Sequence, residues 1–123
     1  MIWLGVVLAG GVGAVLRFVV DRAVARRAAR SLPFVGLPFG TLAVNISGAA
    51  LLGLLGSLAL SRYTALLAGT AFVGSYTTFS TWMLETQRLS EERQVRNAVA
   101  NIVISIVLGI GAALFGQWIA GRL

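Results

Sequence analysis

The sequence predicts an all-α membrane protein of four transmembrane helices. Three observations carry that prediction: an extreme apolar composition, four apolar runs of bilayer length, and connectors too short to hold another domain. Of the 123 residues, 58% are hydrophobic and 11% charged, and mean hydropathy is +0.89. An ordinary soluble domain carries about 25% charged residues. The runs cover residues 2–20, 37–60, 63–84 and 95–120, each near the roughly 20 residues a helix needs to cross a bilayer. They lack the period-2 alternation of strands, and a spanning helix satisfies its backbone hydrogen bonds internally. Residues 1–123 therefore read as a single four-helix transmembrane domain, with connectors at 21–36, 61–62 and 85–94.

The first run begins Met1-Ile2-Trp3, without the basic stretch of a secretory leader or a clear small-residue cleavage site after it, and is expected to stay in the mature chain. The chain has no cysteine, which excludes disulfides and thiolate metal sites, and no histidine, which removes the commonest general base. All ten basic residues are arginines, giving a net charge of +6. They cluster beside connectors, where they set topology and meet anionic lipid headgroups, so membrane lipid is the expected partner and nucleic acid is not.

No carboxylate falls inside a run: Asp21 and Glu85 stand at the ends, and Glu91 and Glu92 lie in the last connector. Proton-coupled exporters need an ionisable group at depth, and Arg17 stays charged at any relevant pH. An enzyme is excluded for want of an acid, base or nucleophile arrangement. The unusual buried groups are uncharged. Asn45 lies midway along the second run, Thr77, Thr78, Ser80 and Thr81 cluster in the third, and Asn97, Asn101 and Ser105 recur every four residues on the fourth. Taken singly, such groups are interhelical hydrogen-bond partners; together they supply oriented donors without fixed negative charge, a path suited to a small anion.

Glycines recur at helical spacings, as Gly10 and Gly13, Gly40, Gly48 and Gly56, and Gly109 and Gly116, and are expected mainly to let helices approach closely. In the third run, Gly74-Ser75-Tyr76-Thr77-Thr78 is a succession of poor helix formers, and a break near Gly74 to Thr77 would free carbonyls able to coordinate a hard cation. An unbroken helix with back-bonded hydroxyls is the alternative. Phe79 and Trp82, three apart, share a face, either as packing aromatics or as ring edges presented to an anion.

The stretches Gly10 to Phe18, Pro38 to Gly48 and Gly74 to Trp82 together resemble the Fluc fluoride channels, also called the CrcB family, in the family's order and over essentially the whole chain. The resemblance implies a third helix broken in mid-membrane and an antiparallel, dual-topology dimer in a prokaryotic plasma membrane, passively exporting fluoride. It also implies that Asn45 donates to fluoride, that Phe79 presents its ring edge, and that Ser80 and Ser105 join a polar track. Backbone carbonyls of Gly74 and Thr77 would hold a structural sodium ion at the dimer centre, and Arg17 would act through its field and packing. Trp82 stands where the family usually has a second Phe, Phe18 and Asn101 stand at positions often Tyr, and Ser75 and Tyr76 crowd a spot commonly Gly followed by an apolar residue. A small multidrug-type exporter and a non-conducting partner subunit are the rival readings.

The flanking charges bear on the dimer. With four spans, one side carries Arg62 and Arg122; the other carries Arg22, Arg26, Arg27, Arg30, Arg88, Arg93 and Arg96. Seven against two favours a fixed orientation with the termini outside. A fixed chain would need a related partner of opposite bias; a homodimer that tolerates the imbalance is the alternative.

Overall fold

The computed structural model describes residues 2–31, 37–58 and 60–123. The described residues are largely helical, with no strand among them. In order, the elements are α1 (Ile2–Ser31), α2 (Phe39–Ser57), α3 (Arg62–Ala65), a π-helical stretch (Leu66–Val73), α4 (Gly74–Tyr76), α5 (Ser80–Glu91) and α6 (Val95–Ala120). Helices α1, α2 and α6 are each long and apolar enough to cross a membrane.

The first connector differs from its sequence reading. It was expected to begin at Asp21, but α1 continues to Ser31, because Ala23 to Arg30 is rich in strong helix formers and nothing breaks the helix before Pro33. At the other end of the molecule Ser61 caps α3, its hydroxyl accepting from the Thr64 N–H at 3.2 Å.

Helix α2 makes its most extensive contact with α6, while α1 packs on α2, the π-helical stretch and α4. The α2–α6 contact depends on missing side chains. A Cβ at Gly116 would stand 2.7 Å from the Leu54 nitrogen and closer still to the Ala50 carbonyl, and one at Gly53 would run into the Ala113 carbonyl. Gly116 was expected from the glycine spacing and Gly53 was not. Gly56 and Gly109, also part of that spacing, face open space. Val44, fully buried, sits at the centre of the small core with Ala71, Val73 and Tyr76. The outward faces of α1 and α6 are apolar and exposed, with Trp3, Val7, Phe18, Val107 and Trp118 all more than half accessible. Such a surface suits lipid and not water.

The α5–α6 turn is a Schellman motif: Gln94 N–H bonds Leu89 C=O at 2.8 Å and Arg93 N–H bonds Ser90 C=O at 3.1 Å. Its left-handed position is filled by Arg93, with φ 63°, where glycine is the preferred residue. Arg93→Gly is expected to raise stability by about 1 kcal/mol, read as a higher thermal midpoint in detergent; a lower midpoint would refute it.

Candidate functional site

The site forms where helical winding stops. Tyr76 ends α4, Thr77 is extended (φ −82°, ψ 164°), and α5 begins at Ser80. Gly74 itself remains in helical conformation, so the chain departs from the helix at Thr77 to Phe79.

Side chains replace the backbone partners that this departure removes. In a continued helix Thr78 N–H would bond Gly74 C=O; instead it donates to Asn45 Oδ1 at 2.8 Å. Asn45 Nδ2 in turn donates to Thr78 C=O at 2.9 Å. The Asn45 amide thus brackets one peptide residue from both sides. Similarly, Thr81 N–H donates to Thr78 Oγ1 at 3.2 Å, capping α5. Thr77 N–H and Oγ1 both bond Val73 C=O, at 2.9 and 3.0 Å. The donors that would occupy the Gly74 and Thr77 carbonyls in a regular helix are therefore engaged elsewhere. Both residues line an apolar groove of about 470 Å³ with Leu52, Leu55, Gly56 and Val73. Two carbonyls relieved of their helical donors are the hard, neutral ligands that an alkali cation accepts, so these residues fit the sodium that the sequence resemblance implies.

Asn45, Phe79 and Trp82 come together with Thr77, Thr78, Gly48 and Ala49 around a cavity of about 280 Å³. The Phe79 and Trp82 rings meet edge to face, centroids 5.5 Å apart and planes at 70°. Gly48 lets Thr77 lie close against α2, since a Cβ there would collide with the Thr77 methyl. Trp82 Nε1 is buried without a hydrogen-bond partner. Ser80 is exposed, its hydroxyl 3.5 Å from that of Thr78.

A second, more polar cavity of about 210 Å³ lies beside Thr78 and is lined by Arg17, Phe18, Asp21, Thr41, Val44 and Thr81. Arg17 is half-buried there. At its edge Thr41 hydrogen-bonds Glu85, one residue beyond the third apolar run. Burial pushes the Glu85 carboxyl above the usual carboxylate range; the Thr41 hydrogen bond opposes this, the Asp21 charge adds to it and the Arg88 charge opposes it.

Three of the expected pore residues line neither cavity: Ser80, Asn101 and Ser105. Asn101, 2% exposed, donates to Thr86 Oγ1 at 2.9 Å, and that hydroxyl donates to Trp82 C=O at 2.8 Å. It joins α6 to α5 and supports Trp82 through Thr86. Ser105 is half-buried on α6. Sequence reading missed the Thr41–Glu85 and Asn101–Thr86 pairs and the Ser47–Tyr76 hydroxyl contact at 2.9 Å; each joins residues at least 15 positions apart, and no local spacing signals them.

Three apolar spanning-length helices, a lipid-suited outer surface and uncharged polar groups gathered at a helix interruption define a polytopic helical membrane protein. The chain matches the family described as CrcB-like protein, Camphor Resistance (CrcB), over residues 4–117. It is 73% identical over 119 residues to the fluoride-specific ion channel FluC 2 of Mycolicibacterium paratuberculosis, covering 97% of this chain and 93% of that one. It is 68% identical to FluC 2 of Mycobacterium tuberculosis (strain ATCC 25618 / H37Rv), covering 97% and 90%. Identity to FluC 1 of Leifsonia xyli subsp. xyli is 42% over 126 residues, covering 98% and 88%. The chain belongs to the CrcB family.

Proposed function

We propose that this chain is a subunit of a fluoride-selective channel that lets fluoride leave the cytoplasm passively. The observation that carries the reading is the Asn45 bracket beside the Phe79–Trp82 edge-to-face pair, in a cavity lined by no carboxylate. Fluoride is small and tightly hydrated, so a pore that admits it must replace water with oriented donors and partial positive charge. The Asn45 amide nitrogen has two N–H bonds; Thr78 C=O takes one and the other is the donor for the ion. Aromatic ring edges carry the positive part of the quadrupole, and the Arg17 guanidinium brings a positive charge to the neighbouring cavity, which the Asp21 carboxylate also lines. Ser80 extends the hydroxyl path from Thr78, while Asn101 acts on the site through Thr86 and Trp82 and Ser105 on α6 lines neither cavity.

In this reading residues 63–84 form the fourth crossing, interrupted in mid-membrane at Thr77 to Phe79, and two subunits pack antiparallel. Sodium at the dimer centre, held by Gly74 and Thr77 carbonyls of both subunits, would neutralise the carbonyl dipoles and tie the two interruptions together. Replacing sodium with a large organic cation is expected to abolish efflux; full activity in sodium-free buffer would overturn the site.

The seven-to-two arginine imbalance favours one fixed orientation, so the partner is a related chain of opposite bias, a pairing consistent with relatives numbered FluC 1 and FluC 2. Fluoride efflux from liposomes is measured with this chain alone and with a co-expressed FluC 1-type chain from the same genome. Efflux only with both supports the heterodimer, and efflux from the lone chain replaces it with a homodimer. No efflux under either condition sinks the channel reading.

A further inference from the structure

One charged surface takes no part in the cavities above: the end of α1 beyond its apolar run. Arg22, Arg26, Arg30 and Arg27 fall at about 0°, 40°, 80° and 140° around the helix axis, while Val24, Asp21, Ala28, Ala25 and Ala29 occupy about 200° to 340°. The second arc faces the rest of the chain across a cavity. Asp21, Ala25, Ala28 and Ala29 line a cavity against Leu37 to Gly40, Glu85 and Arg88. All four arginines on the first arc are exposed, and the ion pair found among the described residues, Arg88–Glu92, is on α5.

Their height places them at the membrane surface. At 1.5 Å per residue the four backbone positions stand about 3, 9, 10 and 15 Å beyond Val20, where the apolar run ends. The headgroup layer is about 5–8 Å thick, and helical side chains lean toward the N-terminus, here back toward the bilayer. Arg22 shows this lean: its guanidinium sits over the ring of lipid-facing Phe18, 5.3 Å from the centroid. A planar guanidinium pairs with phosphate oxygens in bidentate geometry.

We propose that Arg22, Arg26, Arg27 and Arg30 form a docking face for anionic phospholipid headgroups, which it gathers around this end of the protein. A lipid occupant is favoured over an acidic protein or a nucleic acid because the face continues a spanning helix outward from the headgroup layer, with Arg22 inside that layer and the long side chains of Arg26, Arg27 and Arg30 able to reach back toward it. The inference does not depend on fluoride conduction.

The chain has no cysteine, so Ser31→Cys and, at the opposite end, Gly121→Cys each give one fluorescent donor site. Full-length protein is reconstituted in phosphatidylcholine vesicles containing a trace of acyl-labelled acceptor lipid, either phosphatidylglycerol or phosphatidylcholine, and energy transfer is compared. At low salt the Ser31 site is expected to report about threefold local enrichment of phosphatidylglycerol; Gly121 reports the same in an antiparallel homodimer, where the second copy's face lies beside it, and little where this chain is unpaired. Enrichment should fall, to no more than Arg88, Arg93 and Arg96 at the same end sustain, when all four arginines are changed to Gln; enrichment unchanged in a folded quadruple variant would overturn the proposal. Enrichment should vanish for the unsubstituted face in about 1 M salt, where charges are screened beyond about 3 Å; that arm stands even if the quadruple variant fails to fold. Equal transfer from both lipids, or enrichment unmoved by salt, would overturn the proposal. So would capture of polyglutamate or an oligonucleotide by vesicles whose phosphatidylglycerol is not enriched.

Discussion

Asn45→Ala is expected to lower fluoride efflux by about 100-fold, the scale on which removal of one preorganised donor acts on a charged species. Two losses coincide. The ion loses its amide donor, and the Thr78 N–H and C=O lose the side chain that brackets them. Each released backbone group costs about 1–3 kcal/mol if left unsatisfied, so the variant should also melt several degrees lower while remaining folded. Asn45→Asp separates the roles further. The carboxylate still accepts from Thr78 N–H but cannot donate when ionised, and its charge repels the ion, so efflux should be at least as low as in the alanine variant. Stopped-flow or electrode measurement of efflux from liposomes, normalised to protein eluting as a monodisperse species, checks both. Normal flux from folded Asn45→Ala would end the assignment of this residue to the pore.

Gly116→Val is expected to prevent assembly of the helical bundle. The added Cβ would press on the Ala50 carbonyl and the Leu54 nitrogen, both of them backbone atoms on α2, so no side-chain rotation relieves the overlap. Separating α2 from α6 would weaken the most extensive interhelical contact in the chain, whose attraction in a membrane comes mainly from close packing. The loss should reach several kcal/mol, the upper end of overpacking effects, and appear as aggregation or absence of monodisperse protein in detergent. Gly109→Val, on the same helix but facing open space, should behave like the unsubstituted chain. If the two variants extract and elute alike, the close approach of α2 and α6 is refuted.

Much of the fold was legible because membrane insertion reads local properties. Apolar length marks α1, α2 and α6 as spanning-length helices, and the 95–120 run coincides with Val95–Ala120. Other boundaries moved. Helix α1 runs on to Ser31 because hydropathy marks where lipid contact ends, whereas helix propensity decides how far winding continues beyond it. The composition of residues 74–78 signalled a weak place in the helix, but the departure falls at Thr77 to Phe79, where Asn45 from another helix supplies replacement hydrogen bonds.

Of the candidate site, the sequence by itself determined the chemistry available: uncharged donors at depth, no membrane carboxylate, Phe79 and Trp82 one helical turn apart, and a single arginine, Arg17, within an apolar run. Only the tertiary structure decided which of these groups meet. It placed Asn45 against Thr78, drew Phe79 and Trp82 to the same cavity, set Arg17 in its neighbour, and assigned Asn101 to Thr86. The physical reason is that hydropathy and periodicity act over a few residues along one chain segment. Hydrogen bonds such as Asn45–Thr78 and Asn101–Thr86 span 33 and 15 positions, and their formation depends on how closely glycine-bearing helices can approach.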